Sequence, residues 1–163
     1  MEKILISACL VGQKVRYDGR ASSSDGEWIG RWQQQGRLVA VCPEVSGGLS
    51  VPRPAAEVVG GAGEAVLDGI ARLKTEDGRD VTDAFLAGAR HALDVARRHE
   101  IRLAILKARS PSCGSSKIYD GTFTGTRQDG AGVTTALLRR HGIEVFNEDQ
   151  LQQVAHRIAE LER

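Results

Sequence analysis

Four short apolar runs, at residues 3–8, 37–41, 101–107 and 143–147, constrain this chain more than any other feature. Each is the length of a strand and is dominated by Ile, Leu, Val and Ala. They favour strands buried on both faces, as in a parallel sheet. Helical periodicity fills the ground between and after them. Trp28, Ile29 and Trp32 form the apolar face of a helix expected over 25–35, with Asp25 as its cap and Gly36 as its stop. Phe85, Leu86, Ala89, Leu93 and Ala96 recur at helical spacing over 82–99. Further helices are expected over 132–141 and 149–161. Strand–helix–strand connections put neighbouring strands parallel. The expected fold is therefore a single α/β domain over 1–163. Its mostly parallel, Rossmann-like sheet is flanked by helices and carries long loops at the strand C-terminal ends.

Two stretches resist this scheme. Residues 42–63 are rich in glycine and hold three of the four prolines, and a long functional loop is expected there. Residues 66–81 read as irregular or as a hairpin turning at Glu76-Asp77-Gly78. Residues 118–126 read as turns centred on Tyr119-Asp120-Gly121.

The net charge of +1 offers no basic field for a nucleic-acid backbone. No run approaches the ~18 apolar residues of a membrane span, and the first residues lack the layout of a signal peptide. A cytoplasmic protein is expected, monomeric or homodimeric, with neither nucleic acid nor membrane as partner. In that compartment thiols stay reduced.

The three cysteines are an odd number for disulfides and one short of a closed four-cysteine metal site. They are either unrelated buried side chains or one site with an open position. Their placement bears on the choice. Cys9, Cys42 and Cys113 each follow the C-terminal end of an expected strand, and in a parallel sheet those ends share one edge, where ligands bind. Soft thiolates favour zinc, copper(I) or an iron–sulfur cluster. The four histidines, His91, His99, His141 and His156, fall in or at the ends of helices and are poor candidates for a fourth ligand.

The loops around these cysteines carry a resemblance. The segments Ile6-Ser7-Ala8-Cys9-Leu10-Val11-Gly12, Arg16-Tyr17-Asp18-Gly19, Cys42-Pro43-Glu44 with Gly47-Gly48, Pro52-Arg53, Leu106-Lys107, Ser110-Pro111-Ser112-Cys113-Gly114 and Ile118-Tyr119-Asp120-Gly121 occur in that order. Together they resemble the small bacterial family that includes the thiouracil desulfidases, over nearly the whole chain. Some relatives have a further cysteine just before Arg-Tyr-Asp-Gly, where this chain has Val15.

The resemblance implies a 4Fe–4S cluster on Cys9, Cys42 and Cys113 with one iron open as a Lewis acid. It implies non-redox conversion of a thiopyrimidine, 2- or 4-thiouracil, to uracil and hydrogen sulfide. Glu44 and Ser110 would be catalytic. Asp18, Ser112 and Gly114 are expected to bind substrate, through a carboxylate and the backbone of the loop around Cys113. The contrasting reading is a non-catalytic iron–sulfur or zinc-binding carrier or sensor. Arg53, between two prolines, either orders the long loop or faces substrate.

Overall fold

A computed structural model describes residues 1–21 and 27–163. In chain order its elements are β1 (Ile4–Ser7), α1 (Glu27–Gln34), β2 (Leu38–Val41), α2 (Pro43–Ser46), β3 (Ala56–Val59), α3 (Gly63–Leu67), β4 (Arg72–Thr75) and α4 (Thr82–Arg98). There follow β5 (Leu103–Ile105), β6 (Lys117–Tyr119), β7 (Arg127–Asp129), α5 (Val133–Arg140), β8 (Glu144–Phe146) and α6 (Leu151–Leu161). Two 3-10 turns complete the set, at Ala8–Val11 and Glu148–Gln150.

The four apolar runs form one four-stranded sheet in the order β2-β1-β5-β8, with every pairing parallel. The strand period of two sorts its side chains into two layers. Ile4, Ile6, Leu103 and Ile105 face one way, onto Ile29 and Trp32 of α1 and Val154 and Ile158 of α6. Leu5 and Ala104 face the other way, onto Ala92, Leu93 and Ala96 of α4 and Leu138 of α5. Trp28 and Trp32 stack at 5.7 Å within the first layer, as their spacing on a helix predicts. The expected cap Asp25 lies outside the described residues.

The glycine-rich stretch 42–63 is more regular than its composition suggests. It contains α2 and β3, and β3 pairs antiparallel with β4, with Ala56 opposite Thr75. The anticipated turn at Glu76-Asp77-Gly78 follows β4, with the Gly78 N–H donating to the Thr75 carbonyl at 2.9 Å. The stretch expected to be only turns gives a second hairpin, β6 with β7. Val58, Leu73 and Ile118 of these added strands pack on Phe85 and Ala89 of α4 and on Val133 of α5. They form an annex beside the C-terminal edge of the main sheet. Among the described residues no helix is long and apolar enough to cross a membrane.

Strands β1 and β5 are neighbours, yet the chain leaves β1 toward β2 and leaves β5 toward β8. The connections diverge there, which makes a topological switch point and opens a crevice above the strand ends. Cys9 follows β1, Cys42 follows β2 and Cys113 lies in the loop after β5.

Candidate active site

Each cysteine is fixed by a different local device. Cys9 sits in the 3-10 turn that continues β1, closed by Gly12 at φ 95°. Cys42 leaves β2 in extended geometry and stands at the N-terminus of α2, where Pro43 starts the helix without losing a needed donor. Its sulfur meets the backbone N–H groups of Glu44 and Val45 and lies 3.9 Å from the Val15 carbonyl oxygen. Two glycines let α2 lie directly on α4. A Cβ at Gly88 would strike the Pro43 carbonyl, and one at Gly47 would strike the Ala84 carbonyl.

The loop 110–114 is seated on the start of α5. The free N–H groups at that helix end donate to loop carbonyls, Val133 to Pro111 at 3.1 Å and Thr134 to Ser112 at 2.8 Å. The Thr135 hydroxyl donates to the Cys113 carbonyl at 2.8 Å. No residue with a side chain fits at Gly132, because its Cβ would run into the Ser112 backbone.

These devices bring Cys9, Cys42 and Cys113 to the wall of one cavity of about 450 Å³, with Glu44 and Ser110 on the same wall. Burial pushes the Cys9 thiol up to about 11 and the Cys113 thiol up to about 12, and raises that of Cys42. The sulfurs are near enough to feel each other, since a charge on Cys42 raises both of the others. Inert core cysteines share the burial but not the common cavity. Among the described residues no group of three His, Cys, Asp or Glu side chains stands ready-made around a single ion. Three soft donors ringing a cavity suit a larger iron–sulfur group, whose irons take separate thiolates.

Glu44 is the acid of this wall. Its side chain is 19% exposed and Arg53 Nε donates to its Oε1 at 3.2 Å. Burial raises its pKa, and the Arg53 charge and the hydrogen bond from Ser110 only partly oppose this. Ser110 Oγ accepts the N–H groups of Ser112 and Cys113, both at 3.1 Å. With both lone pairs engaged, its one proton is left to donate, and Glu44 receives it.

Arg53, left open between two roles by its sequence, does the first and reaches the cavity as well. Its guanidinium is 5% exposed and donates to the carbonyls of Ser50 at 3.0 Å and Val15 at 2.9 Å in addition to Glu44. Lys107 was not singled out as functional. It lines the cavity, and its Nζ pairs with Glu148 at 2.8 Å. Burial opposes the Glu148 charge, but the hydrogen bond from Lys107 and those from the backbone hold its pKa below the usual carboxylate range. The Lys107 charge also works against the burial of a Cys9 thiolate. The signal for both cations was their position, one between prolines in a long loop and the other at a strand end.

Three expected substrate contacts are placed elsewhere. Asp18 is not on the cavity wall. Its Oδ1 accepts the Arg20 N–H at 3.0 Å, closing a turn at Gly19, whose φ is 76°. Ser112 is fully buried, and its hydroxyl pairs with that of Thr134 at 2.6 Å. Gly114 spends its N–H on the Ser110 carbonyl at 2.8 Å, and a Cβ there would press on Ile118. Ser112 and Gly114 build the loop that presents Cys113. None of the four histidines lines the cavity.

The chain is similar to known proteins. The profile of the 2-thiouracil desulfurase family matches residues 4–150. YbbK, an uncharacterized protein of Bacillus subtilis (strain 168), is 44% identical over 151 residues, which span 93% of this chain and 99% of YbbK. A solved structure of TudS, described as a [4Fe-4S]-dependent thiouracil desulfidase, is similar with a TM-score of 0.89 at 49% identity. That similarity covers 98% of this chain and 99% of TudS.

Proposed function

The chain belongs to the 2-thiouracil desulfurase family, and from that premise we propose that it is an iron–sulfur-dependent enzyme that desulfurates thiouracil. The reaction is a hydrolysis: the C=S bond becomes C=O, water supplies the oxygen, and sulfur leaves as hydrogen sulfide with no net change of oxidation state. The observation that carries this reading is the convergence of Cys9, Cys42, Cys113 and Glu44 on one cavity at the switch point of the sheet.

Cys9, Cys42 and Cys113 are the residues that would hold a 4Fe–4S cluster. Bound by three protein ligands, such a cluster supplies a Lewis acid at its fourth iron. The chain's own part is proton handling and orientation. Glu44 takes a proton from the water that attacks the thiocarbonyl carbon. Its burial suits that work, because a carboxylate with a raised pKa is a better base. Arg53 fixes one oxygen of the carboxylate, so that its approach to the water is set in advance. The Ser110 hydroxyl, donating to the same carboxylate, helps to orient it and keeps its own proton throughout.

Glu44→Gln keeps the shape of the side chain and removes the base. It is expected to retain the iron content and absorption spectrum of the parent protein while sulfide release from thiouracil falls by about 100-fold or more. Unchanged turnover in a variant with an intact cluster removes Glu44 from the mechanism.

A further inference from the structure

The chain has only seven aromatic side chains, two Trp, two Tyr and three Phe. Trp32 and Phe85 are buried, and Trp28 and Phe146 pack against the core beneath the sheet. The three that remain, Tyr17, Tyr119 and Phe123, all line the cavity of the three cysteines. Every aromatic ring not used in the core is therefore spent on this one wall.

Phe123 is the most informative of them. It stands among Thr122, Thr124 and Thr126 in an otherwise hydrophilic loop, and its backbone is left-handed at φ 57°. A bulky residue adopts that conformation only where its surroundings impose it. Here the imposition is visible. Glu57 on β3 is 9% exposed, and its Oε1 accepts the N–H groups of Gly121 at 2.9 Å and Phe123 at 3.3 Å. Gly121 lies against the β3 backbone, where a Cβ would come within 2.6 Å of the Val58 carbonyl. Hydroxyl pairs of Thr122 with Thr124 at 2.6 Å and of Thr124 with Thr126 at 2.8 Å brace the rest of the loop. Tyr17 is anchored as well, through its carbonyl, by the Arg53 N–H at 2.7 Å. The backbone that carries Phe123 and Tyr17 is thus set in place by the protein itself.

We propose that Phe123, with Tyr17 and Tyr119 on the same wall, forms a stacking surface that recognises the substrate as a planar aromatic ring, and that Glu57 positions Phe123 for this role. The inference rests on the desulfidase reading and adds to it the residues that recognise the ring. Aromatic faces stack on flat π-systems whatever their edge groups. The wall therefore selects for ring planarity, while the pattern of hydrogen bonds is read elsewhere.

The test compares two ligands with the same N–H and C=O groups. Uracil is flat and conjugated; 5,6-dihydrouracil is puckered. Both are titrated calorimetrically into the cluster-loaded protein. Uracil is expected to bind roughly tenfold tighter, the worth of one stacked base. Phe123→Leu is expected to abolish that ratio and Phe123→Tyr to retain it. Glu57→Ala is expected to lose the ratio too, and Glu57→Gln to keep it, because one amide oxygen can accept both N–H groups. Equal affinities in the parent protein, or a ratio untouched by Phe123→Leu, overturn the proposal. Sulfide release from thiouracil is measured alongside. Release without a planarity preference sinks the stacking surface alone, and a preference without release sinks the desulfidase reading alone.

Discussion

Arg53 joins three parts of the chain through one buried guanidinium: Glu44, the Ser50 carbonyl and the Val15 carbonyl. The Cys42 sulfur lies 3.9 Å from the same Val15 carbonyl oxygen, so Glu44, Cys42 and the loop after Cys9 are held in one frame. Removing the arginine leaves a buried carboxylate without its partner, which costs about 3–5 kcal/mol. Arg53→Ala is expected to lower stability by that order and to depress kcat far more than KM. Arg53→Lys should recover part of the stability, but a point charge cannot serve three acceptors as a planar fork does. An Arg53→Ala protein with unaltered kcat contradicts the positioning role. At this scale the sequence was readable where a residue's partners are near in the chain. The cysteines stand at strand ends, Glu44 is beside Cys42, and Ser110 is beside Cys113. It is silent where the partner is remote. Nothing near Ser112 announces that its hydroxyl is taken by Thr134, and nothing near Lys107 announces Glu148.

Helix α4 shows how elements, rather than single residues, set the site. Its Gly88 admits the α2 backbone, and α2 carries Glu44 two residues after Cys42. Its start is tied by Asp80, which accepts from the Thr82 N–H at 2.9 Å and from Arg72 Nε at 2.8 Å. The Arg72 bond and the helix-start N–H hold the Asp80 carboxyl well below the usual carboxylate range. A depressed pKa means that the folded state prefers the charged form. The stabilisation is therefore complete above the unfolded value of about 3.9 and is lost as pH falls below it. Asp80→Ala is expected to cost about 1 kcal/mol at pH 7, the worth of a helix cap, and the difference should shrink at pH 3. Urea midpoints at the two pH values measure it, and an equal difference at both contradicts the assignment. The long helices and buried strands were legible because hydrophobic period and apolar runs mark them directly. The turn at Glu76-Asp77-Gly78 was seen, but it follows β4 and closes only the bridge of Lys74 with Asp80; the pairing of β3 with β4, α2 and the β6–β7 pair were missed. Their strands lack the continuous apolar runs of the main sheet, and their order comes from packing on α4 and α5 that no local pattern records.

For the whole molecule, topology does what no motif does alone. Strand order β2-β1-β5-β8 brings three thiols that are remote in sequence to one rim. The annex of β3, β4, β6 and β7 then adds Glu57, Tyr119 and the loop of Phe123 to the lining of the cavity. The parallel sheet was legible from its four runs. The annex was not, so this part of the lining is what the structure adds. We propose that this enclosure performs hydrolytic desulfurisation at a three-cysteine cluster site. Its most direct test is anaerobic incubation of the iron-loaded protein with 2-thiouracil and 4-thiouracil, with no oxidant or reductant added, measuring sulfide and uracil together. The two products are expected in equal amounts from at least one isomer, and Cys113→Ala is expected to abolish both iron binding and turnover. A protein that holds its cluster yet releases no sulfide, or releases it only when a reductant is supplied, rules out hydrolytic desulfurisation.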